Sequence, residues 1–230
     1  MDVTIRHNPG FAIGRVGLAP GEAVKVESGA MAAHSDGVTL QSEMSGGFLK
    51  SLKRAALGGE SLFVTTYTAP SAGGWVDVAS TLPGDMHVHE LVPERPLIMT
   101  RGSWLASAPT VELDTRWGGM GQLAGGEGGF AVHATGQGPV LLAAYGALDV
   151  VQLRAGERFT LDSGHLVAFD EGVQAQLRKA APGMIQSMKS GEGFVFDFIG
   201  PGNVLVQTHN QNQLVSWLTS VLPFSRSSDG

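Results

Sequence analysis

At 230 residues and 43% hydrophobic content the chain is long enough for two domains, yet all-β folds of this size form one unit with a sizeable core. A net charge of −6 and a pI near 5.6, with Lys50, Lys53 and Arg54 as the only basic cluster, argue against nucleic acid; the lack of cysteine excludes disulfides, thiolate zinc sites and cysteine nucleophiles. Charged residues make up only 16%, against a norm of about 25%, so neutral surface is expected to be buried against another subunit.

The opening MDVTIRHNPG lacks an apolar signal core, and no run of about 18 apolar residues follows, so a cytoplasmic protein is expected. Phe11–Leu18 reads as a strand. After the Pro20-Gly21 turn, Ala23–Glu27 alternates Val24 and Val26 with Lys25 and Glu27, the period-two pattern of a half-buried strand. Gly29 turns the chain, and Met31-Ala32-Ala33 begins the return. In residues 47–57, Phe48, Leu49, Leu52 and Ala56 recur at helical spacing, with Lys50, Lys53 and Arg54 opposite and Gly58-Gly59 where a C-terminal cap belongs. This predicts a short amphipathic helix, covering the open end of the β core or meeting a membrane or partner surface. A strand from Gly59 to Tyr67, a Gly/Pro turn and a strand from Trp75 to Ala79 follow.

The pattern then returns. Pro20–Leu40, Pro93–Leu113 and Ala155–Leu177 each carry a Glu (Glu22, Glu94, Glu157), a strand ending in a turn glycine (Gly29, Gly102, Gly164), and Met31, Leu105 or Leu166 just beyond it. A Gly-Glu step, a strand, a Gly/Pro turn and another strand also occur three times, around Glu60, Glu127 and Glu192. Strands at Asp85–Leu91 and Leu148–Leu153 link units of about 10–80, 84–145 and 147–209; a tail, 210–230, carries Leu214, Trp217, Leu218, Val221 and Leu222 at helical spacing before Pro223. Units this small cannot bury an apolar face alone. The expected fold is therefore all-β, a single compact body of three tandem repeats, each a small antiparallel β-sandwich or rolled sheet, around a pseudo-threefold axis.

Three stretches resemble a known family: GGFLKSLKRAALGGESLF at Gly46–Phe63, GHLVAFD at Gly164–Asp170, and GEGFVFDFIGPGNVLVQT at Gly191–Thr208. In this order, over nearly the whole chain, they are similar to the altered-inheritance-of-mitochondria protein twenty-four family. The resemblance implies a fold like the tryptophan RNA-binding attenuation protein, three such units per chain, and homotrimers. Mitochondrial members are associated with inner-membrane organisation. It brings no catalytic residues and no cofactor, and the attenuation protein's RNA and tryptophan sites have no counterpart here.

Among chemical candidates, His87-Val88-His89 with Glu94 is the sharpest. Residues 87 and 89 share a strand face, and H-x-H-x4-E looks like half of a cupin metal site for Fe, Mn, Ni or Zn. Glycine spacing departs from that motif, and Glu94 belongs to the recurring turn Glu, so an ordinary half-exposed strand is the plainer reading. No P-loop and no G-x-S-x-G elbow is present. Phe48, Leu49, Leu52, Trp117, Met120, Met184, Ile185 and Met188 occupy equivalent loops in the three units; gathered at one end, they would form an apolar patch for a protein partner or membrane surface. A non-catalytic, self-associating binding or scaffold protein is the expectation, with the metal-dependent cupin-like protein and RNA binding by an assembled ring as alternatives.

Overall fold

Apolar residues come in two patterns along this chain, and the sheets follow them. Alternating segments such as IGRVGL and RFTLD form strands with one buried face; unbroken runs such as LIM and VLLA form strands buried on both faces. In a computed structural model the structure describes residues 1–41, 64–114, 131–180 and 194–222. The helix expected at 47–57 lies outside them.

The strands are β1 (Asp2–Arg6), β2 (Ile13–Leu18), β3 (Ala23–Glu27), β4 (Met31–His34), β5 (Thr39–Gln41), β6 (Val64–Thr68) and β7 (Gly74–Ala79). Next come β8 (Met86–Leu91), β9 (Leu97–Thr100), β10 (Trp104–Ser107), β11 (Val111–Asp114), β12 (Ala131–Gly136) and β13 (Gly138–Ala143). The last are β14 (Leu148–Leu153), β15 (Arg158–Asp162), β16 (Leu166–Asp170), β17 (Gln174–Lys179), β18 (Phe194–Ile199) and β19 (Gly202–Gln207), before helix α1 (Gln211–Val221). Four antiparallel sheets result, with strand orders β1-β2-β7-β4, β5-β6-β3-β10-β13-β8, β11-β12-β9-β16-β19-β14 and β15-β18-β17.

Among the described residues, three apolar cores lie between successive sheets. The first joins Val16, Leu18, Val76 and Val78 of the first sheet to Val24, Val26, Tyr67 and Leu141 of the second. The second sheet then turns Trp104, Val140 and Leu142 to the next core, against Met99, Val132, Ala168 and Leu205 of the third. The third core sets Ile98, Phe169 and Val204 against Leu161, Phe196 and Phe198. Strand β13 thus feeds two cores with consecutive residues, which is why VLLA does not alternate. Burying such side chains contributes roughly 1.5–3 kcal/mol each before the entropy of ordering is counted.

Turn chemistry matches two of the three recurring glutamates, Glu22 and Glu157. Glu22 Oε2 accepts from the Ala19 amide at 2.8 Å, and Glu157 Oε2 from the Arg154 amide at 2.9 Å, so both close the turn entering a strand. The tail folds as the spacing of its apolar residues suggests. Asn210 caps α1 by accepting from the Asn212 amide at 2.8 Å.

Candidate functional site

The loop residues expected to form an apolar patch, Phe48, Leu49, Lys50, Leu52, Lys53, Arg54, Trp117, Met120, Met184, Ile185 and Met188, all lie outside the described residues. Their segments join β5 to β6, β11 to β12 and β17 to β18, and each of those strand pairs is hydrogen-bonded.

His87 and His89 do share a face of β8, opposite Leu142 and Val140 of β13, and both are half-buried. Their ring centroids stand 6.5 Å apart. Burial depresses the pKa of each below the ordinary histidine value; Asp85 opposes this at His87 and Asp170 at His89. Neutral imidazoles are what a metal needs, but Glu94 is exposed in the turn beyond β8. Among the described residues no group of three or more His, Asp or Glu side chains is placed to hold an ion. His165 Nδ1 is engaged by the Gln207 carbonyl at 2.8 Å, and His209 Nδ1 by Thr208 Oγ1 at 2.9 Å.

Glu94 borders a hollow of about 590 Å³ with Arg95, Gln152, Asp170, Glu171 and Asn203. Its buried carboxylate is already committed, since Asp170 Oδ2 accepts from the Asn203 amide at 2.9 Å and from Asn203 Nδ2 at 3.0 Å. Glu171 pairs with His133 at 3.3 Å.

Two features went unread in the sequence. On the outer face of the first sheet, Asp77 is 5% exposed and accepts from Arg15 Nε at 2.7 Å, Arg15 Nη2 at 2.9 Å and Arg6 Nη2 at 2.8 Å. The Arg15 guanidinium also lies 3.8 Å from the Trp75 ring centroid. The hydrogen bonds from Arg15, its charge and that of Arg6 hold the Asp77 carboxyl below the usual range against the pull of burial. A lone Asp inside WVDVA gave no sign of partners 62 and 71 residues away. Second, α1 buries none of its residues: Val215, Trp217, Val221 and the following Leu222 are 46 to 60% exposed. No helix among the described residues is long and apolar enough to cross a membrane.

An uncharacterized protein of Streptococcus pyogenes serotype M6 is 29% identical over 234 residues, spanning 98% of this chain and 92% of that protein. The crystal structure of a Streptococcus pyogenes protein matches with a TM-score of 0.78 and 26% identity, covering 96% of this chain and 99% of that one. The family model described as mitochondrial biogenesis AIM24 matches residues 3–209, nearly the whole length, and the chain therefore belongs to that family.

Proposed function

We propose that this protein is a non-catalytic, self-associating scaffold, built as three copies of one six-strand unit in succession and working as a homotrimer. Support for the unit comes from pairing: β2–β7, β8–β13 and β14–β19 are alike, as are β3–β6, β9–β12 and β15–β18. The observation that carries the function is the uncovered apolar surface of α1, with Trp217 and Val221 outward on an element that has no charged side chain. Monomeric soluble proteins rarely leave contiguous apolar surface of this kind without a contact to make. Its histidines and buried carboxylates, as far as described, serve turns, ion pairs and strand packing, which favours a scaffold over a catalyst. The apolar loop residues, from Phe48 to Met188, extend that role to a protein partner or membrane surface; Leu49→Asp with Leu52→Asp should then abolish flotation with lipid vesicles or capture of the partner.

Sedimentation velocity and light scattering on the full chain test the central claim. A particle of three times the 24.0 kDa chain mass supports it, and a single-chain mass at every accessible concentration refutes it.

A further inference from the structure

Among the strand edges left open in the described residues, those of β4 and β15 are the two halves of a junction the chain makes elsewhere. Strand β3 pairs with β10, Val26 opposite Ala106 and Lys25 opposite Ser107. Strand β9 pairs with β16 in the same way, Met99 opposite Ala168 and Ile98 opposite Phe169. Every residue of β10 and β16 is buried as a result. Strand β4 is their counterpart by register. It meets β7 through Met31–Val78 and Ala33–Asp77 with a bulge between, as β10 meets β13 through Trp104–Leu142 and Ala106–Leu141, and β16 meets β19 through Leu166–Val206 and Ala168–Leu205. Among the described residues no strand covers the other edge of β4, and Ala32, Ala33 and His34 are exposed. At the far end β15 pairs with β18, as β3 does with β6, but among the described residues the side that β3 gives to β10 stays unpaired.

We propose that the open edge of β15 in one copy pairs antiparallel with the open edge of β4 in a second copy, joining chains head to tail. This rests on the self-association reading and names its surface. The register follows from the two internal junctions: Leu161 opposite Ala33, and Thr160 opposite His34. An unpaired edge presents a row of N–H and C=O groups that template another strand. Natural edges are blunted by proline or central charge, and neither strand has either; the charges of β15, Arg158 and Asp162, sit at its ends. The small side chain needed at the junction is in place, because Ala33, Ala106 and Ala168 occupy the same register position and the latter two are fully buried. A head-to-tail contact closes into a ring when its rotation permits and otherwise grows open-ended; a trimer is the closed form.

Because the chain has no cysteine, the register can be read by cross-linking. His34→Cys and Thr160→Cys are made in separate chains, both at exposed positions. Antiparallel partners stand about 4.5–5.5 Å apart at Cα, within the roughly 4.4–6.8 Å a disulfide spans. Mild oxidation should give a dimer band only when the two variants are mixed, and a chain carrying both should give linked trimers. Ala33→Lys, exposed in the single chain, should keep the wild-type circular dichroism spectrum yet drop the sedimenting mass to 24.0 kDa. A monomeric wild type overturns both this inference and the scaffold reading. A wild-type oligomer that ignores Ala33→Lys and gives no mixed cross-link overturns the edge alone. Linkage within single-variant samples, or within one chain, also overturns it, since like edges would then be pairing or the chain closing on itself.

Discussion

Leu141 and Gly14 allow the sharing of cores between distant strands to be measured. Leu141 is fully buried and comes from β13, yet its side chain lies in the first core with residues of β2 and β7. A Cβ added at Gly14 would meet Leu141 Cδ2 at 2.6 Å, with Met86 Sδ and Val78 Cγ2 at 3.4 and 3.5 Å. Leu141→Ala should cost about 2–5 kcal/mol, because sheet side chains on all sides collapse poorly into the space left. At roughly 2–4 °C per kcal/mol for a chain of this length, a loss near 3 kcal/mol lowers the melting temperature by about 6–12 °C. Gly14→Ala alone should cost about 1 kcal/mol, the low end for overpacking, since the obstacle is the rotatable end of a leucine. Combined, the two should interact. With Leu141 truncated the obstacle is gone, and alanine gains the roughly 0.5–1 kcal/mol that glycine gives up within a strand. Urea titrations of the four proteins measure this, provided the slope of free energy on urea stays constant. The expected coupling is about 1–2 kcal/mol. Additivity within about 0.5 kcal/mol would refute the contact, and two separated transitions in Leu141→Ala would refute a shared cooperative unit.

Acid should destabilise the protein in two stages. His87 and His89 are held neutral by burial, so as pH falls below about 6.5 the unfolded chain takes up protons that the folded one refuses. Their stabilising share is therefore full above that pH and lost below it; melting curves of the His87→Gln, His89→Gln variant should lack this limb, and an unchanged slope would count against it. Asp77 acts lower, because a depressed carboxyl contributes fully above about pH 4 and loses its share only as pH falls through its folded value. Asp77→Asn should cost about 1–3 kcal/mol at neutral pH by weakening the bonds from Arg15 and Arg6, and should flatten the acid end of the stability curve. Equal acid sensitivity in that variant would show the network to be idle.

Local patterning was readable where one face alone decides the strand. Val24 and Val26 are buried with Lys25 turned away, and Leu148–Leu153 is a strand at the expected bounds. The N-terminal strand β1 escaped reading, although Val3 and Ile5 alternate with polar residues and pack on the first core. What the sequence withholds is partnership. Period-two patterning tells which side of a strand faces a core but not which strand lies beside it, so the pairing of β3 with β10, some 80 residues on, has no local signature. Asp77 shows the same gap: its burial depends on two arginines brought from other strands. The histidine pair was placed correctly on one strand face, yet a third ligand depends on what packs above that face, and no residue spacing records it.

The outer faces of the two end sheets explain why an edge, and not a face, would carry assembly. Directly opposite Ala33 in β7 stands Asp77; opposite Ala106 and Ala168 stand Leu141 and Leu205, each plugged into a core. The first sheet thus replaces with an Arg–Asp–Arg cluster the leucine its inner counterparts use. At the opposite end, the outward side of the last sheet carries Thr160, Asp197 and Arg178, with Thr160 Oγ1 donating to Asp197 Oδ1 at 2.7 Å and Arg178 paired to the same carboxylate. Both terminal faces are polar, as the ends of a stacked array must be to stay in solution. Stacking a second chain on either face would strip water from those charges, at a loss that a face-to-face contact without apolar area cannot offset. Edge pairing supplies main-chain hydrogen bonds in a fixed direction. Polar faces beside the bare edges of β4 and β15 thus fit the proposed head-to-tail pairing better than a face-to-face stack.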